Sequence, residues 1–348
     1  MSSTRQQSND CGVKELAIVR GDIKDTSAVH RVGAQMSTKF MSLTLTGKEN
    51  LKYKYMSLTY MFTEEYLQEC FSELKRDKAT GIDGVTVAEY EVNLKGNIKE
   101  LVRKMKSQKY RVKPVRRVYI PKVNGGERPL GIPSVEDKIV QLGIRKILEA
   151  IFEKDFMDVS YGFRSNRNCH GALDEVNKTI MTKPINYVVD MDIEKFFDSI
   201  NHEWLMKCLK QRIADKTFLR LIAKFLKSGV IDEGKLIETD KGTPQGGIIS
   251  PILANIYLHY ILDQWFENKL KKELKGYAQL IRYADDFVCC FQYGNEAKEF
   301  GKMLQERLNK YGLRISTEKS RIIEFGRNAW YKSVRDNSEI ATFDFLGI

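Results

Sequence analysis

Residues 279–291 read QLIRYADDFVCCF, and this stretch decides the architecture. Two apolar runs, Gln279 to Tyr283 and Phe287 to Phe291, flank Ala284-Asp285-Asp286. Both runs have strand character, so the spacing predicts an antiparallel hairpin whose tight turn carries two adjacent acids. Adjacent carboxylates repel, and bound divalent cations remove that cost. The alternative is an Asp-rich surface turn, because aspartate suits turns in its own right.

A third acid shifts the balance. Tyr187-Val-Val-Asp-Met-Asp192 reads as another strand ending in carboxylates, and Phe196 onward reads as a helix. Two metal ions about 4 Å apart need bridging oxygens from separate elements, which a strand end plus a neighbouring turn can supply. Asp190 and Asp192 lie two residues apart, so in a strand they share a face and spacing alone does not separate them.

Working outward from the hairpin, a helical pair leads to a Gly/Pro loop, Lys241-Gly-Thr-Pro-Gln-Gly-Gly247, then an apolar helix from Ile248 to Trp265. A helix is expected from Glu296 to about Tyr311, then a short strand near Ser320 to Phe325. Upstream, Thr63 is placed to N-cap a helix carrying Leu67, Cys70, Phe71 and Leu74. Further helices are expected over Leu94 to Gln108, over 135–157, and from the Tyr161–Arg167 loop to about Ile180. Strands and helices segregate loosely, which is an α+β pattern with an antiparallel sheet.

Between Arg103 and Arg128 stand ten Lys or Arg residues and one acid, Glu127. Within that run Val115 to Ile120 reads as a strand, Asn124-Gly125-Gly126 as a turn and Pro129 to Ile132 as the return. This register sets Lys122 and Arg128 close together near the tip, as a phosphate contact would require; the bland reading is a solvated charged face. The whole chain of 348 residues carries 57 Lys plus Arg against 46 Asp plus Glu, a formal excess of +11, which suits a polyanionic partner. The apolar fraction of 42% is that of a globular protein rather than a disordered one. No run approaches a membrane-spanning length and the start lacks a secretory signal, so a soluble, cytoplasmic protein with no membrane partner is expected. The six cysteines show no zinc spacing, and the adjacent Cys289 and Cys290 read as strand packing. Residues 1–50 are expected to form a loosely ordered arm.

Taken in order, these motifs resemble those of reverse transcriptases, most closely the ones encoded by group II introns. Asp192-Ile-Glu-Lys-Phe-Phe-Asp198 resembles the first palm motif, Pro244-Gln245-Gly246-Gly247 the second and Tyr283 to Asp286 the third. Lys319 in Thr-Glu-Lys-Ser matches the fourth, and Phe345-Leu-Gly347 the start of the primer grip. Lys78 to Gly84, the Arg117 to Ile132 hairpin and Tyr161 to Arg167 resemble fingers signatures of the same family.

The resemblance implies a right-hand polymerase fold: an antiparallel palm sheet with packed helices over 186–348, and a mixed α/β fingers subdomain over 51–185. The chain stops at the primer grip, so the helical thumb of that family is expected to be absent. It implies RNA-directed DNA synthesis on an RNA template from a DNA primer and dNTPs, with Asp192, Asp285 and Asp286 binding two Mg²⁺ ions, for which Mn²⁺ is a possible substitute. Phe197 matches the aromatic gate that rejects a 2′-hydroxyl; its bland reading is a core aromatic. Gln245 would touch the incoming nucleotide or template, or else satisfy loop backbone groups. Lys122 and Arg128 match the residues that grip the triphosphate. Lys319 matches the lysine placed to protonate the leaving pyrophosphate, although a solvated surface lysine fits it nearly as well. Structured intron RNA is a further implied partner and a dimer is allowed. The alternative is an RNA-binding maturase fragment without polymerase activity of its own.

Overall fold

The protein is described here as a computed structural model covering residues 42–43, 52–121, 125–243, 246–337 and 342–347. Lys122 and Gln245, and nearly all of the expected N-terminal arm, lie outside the described residues.

Helices begin where short polar side chains can accept the first free backbone N–H groups. Thr63 accepts from Tyr66 N at the head of the Glu64–Ser72 helix, as its position in the sequence predicts. Ser134 caps Val135–Phe152, Asn168 caps Cys169–Thr182, Asn201 caps His202–Leu209 and Asp215 caps Lys216–Leu226. Val87–Val92, which the sequence reading passed over, is closed by a capping box between Thr86 and Glu89.

Val135–Phe152 runs through the middle of the core. Ile139, Val140, Ile144, Ile147, Leu148, Ile151 and Phe152 are all buried along it, so it is apolar on more than one face. It ends at Phe152 rather than at 157: Asp155 turns out to pair with Arg212, and Phe156 enters the core on its own. Gly143 is the point of closest helix approach, because a Cβ there would stand 3.0 Å from Phe62 and 3.2 Å from Tyr66. The Tyr66 hydroxyl donates to the Gly143 carbonyl at 2.7 Å.

Two four-stranded sheets flank this helical centre. The first has the order β2-β1-β4-β5, from β1 (Val115–Pro121), β2 (Glu127–Ile132), β4 (Val230–Asp232) and β5 (Lys235–Ile237). β1 and β2 form the expected hairpin, with Arg128 across from Ile120. The β4–β5 hairpin was not foreseen. Its two-residue turn, Glu233-Gly234, has φ of 48° and 79°, the left-handed pair that matches strand twist. Although Val230 lies 115 positions after Val115, β4 pairs parallel with β1 through these two residues.

The second sheet has the order β6-β7-β3-β8 and is antiparallel throughout, from β3 (Tyr187–Met191), β6 (Ala278–Tyr283), β7 (Asp286–Phe291) and β8 (Arg321–Glu324). Alternation sends Val189, Met191, Leu280, Phe287 and Cys289 into the main core, which also takes Phe300 and Leu304 of the Gly294–Lys310 helix. Val188, Ile281, Val288 and Cys290 face the other way, onto Ala172, Val176 and Phe345. Cys289 and Cys290 therefore pack on opposite faces as free thiols, in keeping with the strand-packing reading.

The apolar helix expected over 248–265 starts at Ser250 and changes character at His259. From there the backbone is π-helical over His259–Asp263 and again over Phe266–Leu270. Such wide turns rotate side chains out of α-helical register and occur mostly at functional places.

The loop before that helix packs against β2 and against the central helix. Gly246 has φ of 95°, and a Cβ there would lie 2.7 Å from the Gly131 carbonyl oxygen of β2. Ile248 N–H donates to the buried Gln141 side chain at 2.8 Å. Gly246→Ala combines a left-handed backbone with a backbone clash, and is expected to lower unfolding free energy by about 2 kcal/mol. Urea denaturation followed by far-UV circular dichroism would measure that loss.

Candidate active site

The hairpin turn places its acids by backbone constraint. Tyr283 pairs with Asp286, leaving Ala284 and Asp285 as the loop. Ala284 sits at φ 58°, a left-handed conformation that costs a non-glycine residue about 1–2 kcal/mol. Something must hold it there. One support is Gly162: a Cβ at that position would lie 2.3 Å from Ala284 N, so only glycine lets the 161–167 loop lie against the turn. Tyr161 N–H donates to the Arg282 carbonyl and Arg282 N–H to the Val159 carbonyl, both at 2.8 Å, so this loop runs beside β6 as an added strand segment.

The other support is the Arg282 side chain, fully buried at 0% exposure. A guanidinium has five N–H donors, and here all five are used. Nε and Nη2 donate to Asp263 at 2.8 and 2.6 Å; Nη1 donates to Asn255 Oδ1 at 3.1 Å and to the Ala284 carbonyl at 2.7 Å; Nη2 also donates to Ser160 Oγ at 2.8 Å. Asp263 is equally buried and comes from the π-helical stretch. Asn255, eight residues earlier, donates to the Gly162 carbonyl at 2.7 Å. The sequence reading missed Arg282, Asp263 and Asn255. A charged residue in the middle of an otherwise apolar strand was the available signal for the first.

The third acid arrives by strand register. Asp190 faces Val288 and Met191 faces Phe287, the last pair of the ladder, so Asp192 follows directly at the end of the sheet where β7 starts with Asp286. Neighbouring antiparallel positions stand about 5 Å apart, which puts these carboxylates at one end of one sheet. Asp192 takes an ion pair from Lys319 Nζ at 2.8 Å, and its N–H donates to Ser320 Oγ at 3.3 Å. Asp190, on the same face, pairs with Arg321 at 3.5 Å. The two acids that spacing could not separate thus have different cationic partners.

Charge crowding shows in their proton affinities. Asp286 is pushed up to about 6, first by loss of solvent around its carboxyl and then by the charges of Asp285, Asp192 and Asp190. Asp285 is also raised, by burial first and by Asp192 next, with the charge of Arg128 acting against the shift. Arg128 on β2 is therefore within electrostatic reach of the turn. Lys319 is raised by its hydrogen bond to Asp192.

Phe197 is half-buried, packed edge-on to Phe196 with ring centroids 5.4 Å apart. Its carbonyl accepts from Thr243 N–H at 2.7 Å, and Gly242, at φ 84°, lies where a Cβ would meet the Phe197 oxygen at 2.9 Å. Buried His202 holds the same loop through Nε2 and the Gly242 carbonyl at 2.6 Å. The structure therefore gathers Asp192, Asp285, Asp286 and Lys319, with Arg128 and Phe197 at the margins. Among the described residues no three His, Cys, Asp or Glu side chains converge as a ready metal cage. The donor set nevertheless suits hard divalent cations: carboxylates only, mutually repelling, with Lys319 standing on Asp192 as a substitute charge.

An antiparallel sheet with paired acids at a hairpin turn, a third acid on the adjacent strand and a basic hairpin over it defines a polymerase palm with its fingers. The family described as reverse transcriptase (RNA-dependent DNA polymerase) matches residues 120–348, and the chain belongs to it. Its relatives include YkfC of Escherichia coli K12, 36% identical over 237 residues, covering 60% of this chain and 62% of that protein. The group II intron-encoded protein LtrA of Lactococcus lactis is 36% identical over 231 residues, covering 66% and 38%. A protein in the cob intron of Schizosaccharomyces pombe is 44% identical over 176 residues, covering 51% and 21%. The chain thus sits among group II intron-type reverse transcriptases and spans 62% or less of these relatives. Its right-hand polymerase fold is shared with telomerase from Candida albicans, solved with a fragment of telomeric RNA, at a TM-score of 0.50 and 14% identity over 70% of this chain and 47% of that one.

Two outcomes test this site. Arg282→Met strands the Asp263 charge in the core and is expected to cost about 3–5 kcal/mol, whereas Arg282→Met with Asp263→Leu should recover most of it; chemical denaturation of the four proteins in the cycle measures both. Because the folded Asp286 carboxyl binds its proton more tightly than the ordinary value of 3.8, the stability it gives is full below about pH 4 and lost as pH rises through 6. In metal-free protein Asp286→Asn should therefore add about 1 kcal/mol at pH 7.5, after discounting for solvent, and nothing at pH 4. Thermal melts at the two pH values read the difference.

Proposed function

We propose that this chain carries the catalytic centre of an RNA-directed DNA polymerase, extending a DNA primer on an RNA template with dNTPs. The observation that supports it is the β3–β7 ladder, whose last pair, Met191 with Phe287, leaves Asp192 and the Asp285–Asp286 turn at the same end of the sheet. In this reading Asp192, Asp285 and Asp286 hold two Mg²⁺ ions, with Mn²⁺ as a substitute. Bound there, divalent cations supply Lewis acidity toward the primer 3′-hydroxyl and neutralise charge on the leaving pyrophosphate.

The protein's own groups do the rest. Lys319, ion-paired with Asp192 at 2.8 Å, would be the ammonium at this end of the sheet that donates a proton to the departing phosphate oxygen. Arg128 contributes a planar guanidinium for bidentate phosphate contact, and Lys122, outside the described residues, would add a point charge. Phe197 presents an aromatic edge two residues from the Lys195 bend and excludes a ribose 2′-hydroxyl by bulk. Gln245, also outside the described residues, belongs to the loop that Gly242 and Gly246 lock against Phe197 and β2, where a template or nucleotide contact would fall. The basic run on the first hairpin, together with the group II intron-encoded name of the Lactococcus relative, supports binding of structured intron RNA alongside synthesis.

The test is extension of a DNA primer on an RNA template with Mg²⁺ and dNTPs, parent against Asp286→Ala. Extension should fall by at least about a thousandfold in the variant, while retention of binding to structured RNA shows that the surface is intact. Equal extension by both would remove the metal assignment. Phe197→Ala is expected to raise ribonucleotide incorporation on the order of tenfold or more, measured as the ratio of rNTP to dNTP kcat/KM.

A further inference from the structure

Beside the carboxylate end of the β3 sheet lies a cavity of about 650 Å³, lined by Glu194, Lys195, Ser199, Lys241, Asn309 and Arg314. Its walls come from three distant segments that the backbone ties together. Glu194 N–H donates to the Arg314 carbonyl at 2.8 Å, and Ser316 N–H to the Asp192 carbonyl at 2.8 Å. Ile193 bridges Ile315, and Asn201 bridges Lys241, both antiparallel. Gly242 N–H donates to the Ile200 carbonyl at 2.7 Å. The positions of Lys195, Lys241 and Arg314 are therefore fixed relative to one another.

Lys195 sits at φ 45°, in the left-handed region that a lysine enters only at a cost. Its carbonyl accepts from Asp198 N–H at 3.0 Å, which closes the turn. The cations are also unusually uncommitted. Nearby, Lys319 pairs with Asp192, Arg321 with Asp190 and Lys332 with Glu324. Lys195, Lys241 and Arg314 make no ion pair among the described residues, and Glu194 is the one acid among the lining side chains. Three unneutralised cations facing one concave space focus a positive potential into it. The volume is that of a small-ligand site. Glu194 follows Asp192 by two residues, about 7 Å along an extended chain, so the cavity adjoins the acids assigned to catalysis.

We propose that this cavity binds inorganic pyrophosphate, the anion released at each nucleotide addition, with Lys195, Lys241 and Arg314 as its phosphate ligands. Arg314 offers a bidentate fork and the two lysines compact charges, a combination suited to four or more phosphate oxygens and poorly suited to a nucleobase. Asn309 adds a neutral amide donor to the lining, while the Ser199 hydroxyl already donates to the Glu194 carbonyl at 3.3 Å. This inference rests on the polymerase reading and gives that reading a path for its product: pyrophosphate leaves the carboxylates, which repel it once its countercharges are gone, for a neighbouring positive basin.

The test is calorimetric titration of the full chain with sodium pyrophosphate, in parent, Lys195→Gln and Lys241→Gln/Arg314→Gln proteins. All three positions are exposed, so the variants should melt with the parent. The expected result is binding by the parent, about tenfold weaker in the double variant, with a matching rise in the pyrophosphate concentration that inhibits primer extension. No binding by the parent, or equal binding by parent and double variant, overturns the assignment. Displacement of pyrophosphate by a short RNA lacking a 5′-triphosphate, lost in the same variants, would make the cavity a site for backbone phosphates instead and also overturn it. Calorimetry needs no synthesis. A parent that binds pyrophosphate in this cavity but fails to extend primers defeats the polymerase reading, whereas one that extends primers without this binding defeats only the cavity.

Discussion

A guanidinium taken wholly out of water is stable only if its charge and every N–H are met, and in this chain the Arg282 group meets both demands within one cluster. Its partners come from Ser160 on the segment bridged to β6, from Asn255, from the π-helical Asp263 and from the backbone of the Ala284 turn. Breaking the cluster exposes a buried charge on one side or the other, so four segments are bound to a single arrangement. The left-handed Ala284 and the close approach of Gly162 persist because that arrangement leaves them no alternative. The acids at the turn inherit their position from a residue that points away from them, into the core.

At the open end of the same sheet the balance is of the opposite kind. Asp190, Asp192, Asp285 and Asp286 crowd together while the chain as a whole is strongly basic. Lys319 and Arg321 neutralise two of the acids, and the charge of Arg128 reaches a third. The carboxylates remain in excess locally, which is why Asp286 holds its proton more tightly than an ordinary aspartate. The core end of the hairpin is electrostatically closed, and the turn end is left open to added cations. The loop of Gly242 and Gly246 lies tight against Phe197 on one side and β2 on the other, because neither position has room for a side chain.

Much of this was readable residue by residue. Thr63 caps where a threonine before Glu64-Glu65 should, the Gln279–Phe291 hairpin forms over nearly the expected residues, and Cys289 and Cys290 divide between two faces as strand alternation requires. The β4–β5 hairpin escaped notice because its strands are three residues each, too short for a period to show; Glu233-Gly234 between two apolar pairs was the usable sign. The helix after Ser250 was seen, but not its change to π-helical turns, since composition there is apolar throughout and carries no phase. Arg282 reads as an ordinary interruption of a strand until Asp263 is placed beside it.

By itself the sequence determined the elements, the order of the motifs and the residue types that chemistry with phosphates and divalent cations requires, because periodicity, capping and turn preference act over a few residues. Spacing left Asp190 and Asp192 equivalent, and only the motif resemblance chose Asp192. The tertiary structure alone decided that Met191 faces Phe287, that Val230 pairs with Val115, that Arg282 finds Asp263, and that Lys195, Lys241 and Arg314 line one space. Those are relations between residues 19 to 119 positions apart, fixed by ladder register and by the cost of burying charge unpaired, and no local pattern encodes them.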